Sequence, residues 1–210
     1  MIGGGRFTAT AILAAATVIC WLLLSTLMSV DDAALTFGFI PARFGGGIDN
    51  PGLVPAFLTP LTATIAHGGA LHLLINMVML VWCGTWVERG LGARALLILY
   101  GVGAFAAALA QWAIDPGSVV PMIGASGAVS AVVGAFALSH GQPKRLVSNA
   151  RANRALNALW LLVAWVALQL MTGWAAGMQG VLLATPAHVG GFLIGLILQR
   201  PLLLWRYRGA

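Results

Sequence analysis

Five polar side chains stand in stretches where nearly everything else is apolar: His67, His72, Asn76, Ser126 and His188. Gln111, Ser130 and Gln169 are weaker members of the same group. In lipid a strongly polar or ionisable side chain is costly, and its presence points to function. A serine hydroxyl becomes a good nucleophile only when a neighbouring base takes its proton, and histidine is the usual base. Ser126 sits in Gly124-Ala125-Ser126-Gly127, and His188 in Ala187-His188-Val189-Gly190-Gly191. On a helix His188, Gly191 and Gly195 share one face, and Gly127, Ala131 and Gly134 share another. Such small-residue faces let helices approach closely. If these two pack together, Ser126 and His188 come within hydrogen-bond reach, which sets a nucleophile beside its base. His72 and Asn76 also share a helix face, being one turn apart.

The elements that must position these residues are membrane helices. Of 210 residues, 8% are charged and 60% hydrophobic, and the mean hydropathy is +0.94. Soluble domains carry about 25% charged residues, so a soluble globular protein and a disordered chain are excluded. The net charge of +6 rests on only 11 basic residues. No basic face large enough for phosphates follows, and no nucleic-acid partner is expected. A span needs about 20 apolar residues. The expected fold is an all-α, polytopic membrane helix bundle of six transmembrane helices within one domain over 1–210. The spans are expected at about 7–28, 70–87, 93–113, 124–139, 155–171 and 181–198, with a membrane-surface or dipping segment at about 55–66. Loops are expected at Ser29–Leu53, Ile114–Met122, His140–Arg154 and Thr172–Gln179, and a short basic tail after Leu198. The run Phe7–Met28 is about twice the length of a signal-peptide core and reads as the first span. Cys20 and Cys83 lie in apolar runs without metal-type spacing and read as packing residues.

Charge sets the expected orientation. Arg6, Arg89, Arg94, Lys144, Arg145, Arg151, Arg154, Arg200, Arg206 and Arg208 fall on one side of this layout, and Asp31, Asp32, Asp49 and Asp115 on the other. Basic residues flank cytoplasmic span ends, so both termini are expected in the cytoplasm of a bacterial-type cell membrane. Trp112 and Trp174 near outer boundaries, and Trp86 and Trp205 near inner ones, read as interfacial anchors. His72, Asn76, Ser126 and His188 then lie within roughly 3–11 Å of the outer boundary, at 1.5 Å per helical residue. Residues scattered over more than a hundred positions thus meet in one leaflet.

Taken together, the residues resemble the rhomboid intramembrane serine proteases. The resemblance runs from His67 to Gly195, in the family's order: His-x-x-x-Asn in the second span, Gly-x-Ser-Gly opening the fourth, and Ala-His-x-x-Gly-x-x-x-Gly in the sixth. It implies a Ser–His dyad without a carboxylate, with Ser126 as nucleophile and His188 as general base. It also implies an oxyanion hole made by His72, Asn76 and the backbone N–H of Ser126. His67 matches a histidine often seen in the family. Gly124, Gly127, Gly191 and Gly195 would support the site. The implied partners are transmembrane protein substrates and the lipid bilayer, with neither metal nor cofactor. The chain departs from the family at Ser130, where bacterial members often carry a tyrosine packed on the histidine. It also has no Trp-Arg pair in the first outer loop, where Arg43-Phe44 is nearest. Glu88-Arg89-Gly90 fits the charged turn common after the second span.

Other chemistries fit less well. The chain has no His-Glu-x-x-His for an intramembrane zinc protease and no pair of intramembrane aspartates. A small transporter would line a path through the midplane, often with repeats, whereas here the polar groups gather in one leaflet. A rhomboid-like protein that only binds or escorts membrane partners typically lacks the serine or the histidine, and both are present.

Overall fold

The computed structural model describes residues 8–47, 54–141, 147–178 and 184–209. The expectations that fall on Arg6, Phe7, Asp49, Lys144, Arg145, Gln179 and Val181 lie outside them. Nine α-helices form among the described residues: α1 (Ala9–Leu27), α2 (Val30–Phe37), α3 (Pro41–Phe44), α4 (Thr59–Thr62), α5 (Ala70–Leu91), α6 (Ala93–Ile114), α7 (Ser126–His140), α8 (Ala150–Gly177) and α9 (Thr185–Arg206). No strand forms among them, and one antiparallel bridge joins Phe39 to Met122. The fold is an all-α bundle.

Five helices, α1, α5, α6, α8 and α9, are long and apolar enough to cross a membrane. The 15 residues of α7 rise only about 22 Å, short of the ~30 Å hydrocarbon core. Helix α7 is therefore shorter than these five helices, and Ser126 is its first residue.

The bundle is organised around α7, which is buried continuously from Gly127 to Ala135 and packs on α9, α6 and α5. Small residues make this possible. A Cβ placed on Gly103 or Gly127 would stand 2.5 Å from the methyl of Ala131 or Ala107. One on Gly134, Gly191 or Gly195 would overlap the carbonyl oxygen of Phe192, Gly127 or Ala131 respectively. Across the α7–α9 seam, backbone therefore touches backbone. Larger side chains, among them Leu80, Leu96 and Leu99 at 0% exposure, fill the core beside it.

At the other end of the bundle Glu88 of α5 caps α1. Its carboxylate accepts from the N–H groups of Ala9 (2.8 Å) and Thr10 (2.9 Å) and from the Thr10 hydroxyl (2.6 Å). The Arg206 guanidinium of α9 donates to the Glu88 carbonyl (3.2 Å), and Tyr207 to that of Gly90 (3.4 Å).

Several sequence expectations are corrected. The loop Ser29–Leu53 contains α2 and α3. Ser29 caps α2 by accepting from the Asp32 N–H (3.1 Å), and Arg43 of α3 donates to the Val54 carbonyl (2.9 Å). Trp112 is not a free-standing anchor: it packs edge-on against Phe44 at 6.1 Å, so this loop lies on the end of α6. The loop expected over His140–Arg154 ends earlier, because Asn149 caps α8 through the N–H groups of Arg151 (2.8 Å) and Ala152 (3.2 Å). Helix α8 then runs on to Gly177, so Thr172–Gly177 is helical rather than loop. The basic tail is helical as well, with α9 continuing through Pro201 to Arg206. Glu88-Arg89-Gly90 closes α5 instead of forming a turn. The turn falls at Gly92, whose φ of 93° favours glycine.

Candidate active site

Helices α7 and α9 bring the serine and the histidine together. Ser126 Oγ lies 2.8 Å from His188 Nε2, across the seam where Gly191 of α9 meets the carbonyl of Gly127. With any larger residue at 191 the helices could not stand this close. The other ring nitrogen, Nδ1, lies 2.8 Å from Oε1 of Gln169 on α8. The Trp165 indole, one turn before Gln169, donates to the His188 carbonyl (3.2 Å) and stacks on Phe192 at 4.8 Å. A hydroxyl hydrogen-bonded to an imidazole whose far nitrogen is also held is suited to nucleophilic attack assisted by proton transfer.

The turn before α7 supplies a second feature. Gly124 has φ of 113°, a conformation that L side chains rarely adopt. A Cβ there would also stand 2.7 Å from Nε2 of His72. Glycine at 124 is thus required twice, by the backbone and by the ring of His72 against it. The N–H of Gly124 donates to the Ala63 carbonyl (2.9 Å), and that of Ala125 to His67 Nε2 (3.3 Å). These bonds tie the turn to the segment that includes α4. The first-turn N–H groups of a helix have no intrahelical acceptor, and α7 has no side-chain cap. Its N-terminus, beside Ser126, therefore favours negative charge.

His72 and Asn76 share the α5 face that approaches this turn. The Asn76 amide, 4% exposed, donates to the His72 carbonyl (2.8 Å). The Gly68 N–H reaches His72 Nδ1 at 3.4 Å. The His67 and His72 rings meet edge-on at 5.1 Å. His67 is buried, and its carbonyl accepts from Trp21 of α1 (3.2 Å). Burial, and next the charge of His72, lowers the pKa of His67 to about 4.

The structure thus gathers His67, His72, Asn76, Gly124, Ser126, Gly127, His188 and Gly191 at one end of α7, with Gly195 one turn further along the seam. Ser130 is turned elsewhere: its hydroxyl donates to the Ser126 carbonyl (2.7 Å). Gln169 is the residue whose place the sequence reading missed. Its only signal there was a lone amide in an apolar run.

Residues 56–205 match the family model of the Rhomboid domain. The chain belongs to the rhomboid family. It is 30% identical over 139 residues to RHOMBOID-like protein 5 of Arabidopsis thaliana, covering 66% of this chain and 41% of that protein. It is 30% identical over 133 residues to the rhomboid protease GlpG of Yersinia pestis, covering 63% of this chain and 43% of that one. RHOMBOID-like protein 4 of Arabidopsis thaliana is 29% identical over 151 residues, 71% of this chain and 35% of its own length. The chain therefore spans less than half the length of these relatives. Family and apolar helices together make it a multi-pass membrane protein.

Proposed function

We propose that this rhomboid is an intramembrane serine endopeptidase acting on transmembrane or membrane-proximal segments of other proteins. The observation that carries the reading is the 2.8 Å contact between Ser126 Oγ and His188 Nε2. In the proposed reaction Ser126 attacks the scissile carbonyl and His188 takes its proton. His188 then gives that proton to the leaving amine, and water assisted by His188 cleaves the acyl-enzyme. His72, Asn76 and the Ser126 N–H hold the oxyanion. The uncapped N-terminus of α7 and the approach of His72 to Gly124 support that assignment. No metal or cofactor is called for.

The substrate helix must unwind locally to expose its peptide bond, so small or helix-breaking residues are expected near the cut. We read α1, α5, α6, α8 and α9, with the shorter α7 in fourth place among them, as the six transmembrane helices of one rhomboid-type domain in the cell (plasma or inner) membrane. The basic residues at the Glu88 end of the bundle support a reading with both termini in the cytoplasm and the Ser126 end toward the outer leaflet.

Fluorophosphonate labelling of the purified protein tests the chemistry without knowledge of a substrate. Wild type should label, while Ser126→Ala and His188→Ala should not, with melting temperatures near wild type. Cleavage of a panel of transmembrane helices by wild type alone would then follow. A folded wild type that neither labels nor cleaves would overturn the reading in favour of an escort protein.

A further inference from the structure

We infer that Gln169 is a positioning residue for His188, setting which ring nitrogen of that histidine carries the proton. This rests on the reading of Ser126 and His188 as the reacting pair. Helix α8 is the most exposed of the long helices, with only 6% of its apolar window buried. Gln169 is the exception, at 8% exposure. A buried amide in such a helix is costly unless it is hydrogen-bonded. Its oxygen lies 2.8 Å from Nδ1 of His188, whose Nε2 lies 2.8 Å from Ser126 Oγ.

The two bonds constrain each other. For Nε2 to receive the serine proton it must be bare, so the neutral ring must carry its hydrogen on Nδ1. A bare imidazole prefers the opposite tautomer, with hydrogen on Nε2, in which the ring cannot act as base toward Ser126. An acceptor at Nδ1 reverses that preference, and the Gln169 amide oxygen is the acceptor in place. Trp165, one turn earlier on the same face of α8, fixes the His188 backbone through its carbonyl. Helix α8 thus holds residue 188 by ring and backbone together. Ser130 does not share this task, since its hydroxyl is committed to the Ser126 carbonyl. The amide is uncharged, so its contribution is orientation and tautomer rather than charge stabilisation.

The test compares wild type, Gln169→Leu and Gln169→Glu as full chains in detergent. Loss of the partner that orients a metal-ligating imidazole typically costs about 10–100-fold; by analogy, Gln169→Leu should slow fluorophosphonate labelling by about that factor. Gln169→Glu, which keeps an oxygen acceptor at the same reach, should restore it. A packing role predicts the reverse order, with leucine tolerated and glutamate harmful; that order, or wild-type labelling by Gln169→Leu, overturns the proposal. The second readout is ¹⁵N NMR of histidine-labelled protein, with the His188 signals assigned by His188→Ala. The proton should sit on Nδ1 in wild type and Gln169→Glu, and on Nε2 in Gln169→Leu. If the leucine variant does not fold, Gln169→Met, of similar length and flexibility, takes its place. Should wild type fail to label, the protease reading falls. The NMR result still decides whether Gln169 sets the tautomer, and an Nδ1 proton retained without the amide refutes it.

Discussion

Gly191→Ala is the most direct probe of the seam that brings Ser126 to His188. The added methyl would stand 3.1 Å from the Gly127 carbonyl carbon and 3.2 Å from Ser130 Cβ, and would overlap the Gly127 oxygen. Carbon atoms in ordinary contact are about 3.5–4.0 Å apart. The methyl faces mainly backbone, so no rotamer change relieves the clash and the helices must part by about 0.5–1 Å. Ser126 and His188 lie next to this point, on opposite sides of it. Their 2.8 Å bond would open beyond the ~3.2 Å limit of a good hydrogen bond. Misplacement of about 1 Å can cost about 10²-fold in rate, and overpacking costs about 1–3 kcal/mol. The assay is the rate of fluorophosphonate labelling beside the melting temperature. Gly101→Ala is the control, since a methyl there meets nothing within 4 Å and should leave the rate unchanged. It should also stabilise α6 by about 0.5–1 kcal/mol. Wild-type labelling by a folded Gly191→Ala would refute the claim that backbone contact sets the Ser126–His188 distance.

Asn76→Ala should lower cleavage by about 10²-fold if its amide helps to hold the oxyanion; a rate within the error of wild type in a peptide-cleavage assay would remove it from that role. Glu88→Gln keeps an oxygen but loses the charge that three donors share, so thermal unfolding should show a loss of about 1–2 kcal/mol at this half-exposed site, with labelling unchanged at low temperature. His67 titrates near 4 when folded and near 6.5 when unfolded. Between those values the unfolded chain binds a proton that the folded one refuses, so folded stability falls as pH drops through that window. In His67→Gln the melting temperature should fall less steeply over the same range, and an unchanged slope would refute the assignment.

The long helices and their order were legible because apolar runs of that length have few alternatives. The seam was legible too, in the spacing of Gly191 and Gly195 against Gly127 and Gly134. Helix ends were less so. The caps at Ser29 and Asn149 fell inside segments expected to be loops. Trp112 read as an anchor because nothing in the chain announces that Phe44, nearly seventy residues earlier, returns to meet it. Gln169 stood out in the sequence only as a weaker polar residue of an apolar run, because its partner lies on another helix. Ser130, where bacterial members often carry a tyrosine, gave no hint that Gln169 of α8 reaches the histidine.

The bare contact between α7 and α9 also divides the molecule by compliance. Packed helices normally slide by small amounts because side chains change rotamer and absorb the shift. Where glycine meets a carbonyl there is no such cushion, and the two helices move as one stiff piece. Helix α8 is different, attached near the site by the Trp165–Phe192 stack and by single hydrogen bonds from Trp165 and Gln169. On heating, the attachment of α8 should therefore give before the seam does, and the distance between Ser126 and His188 should change last.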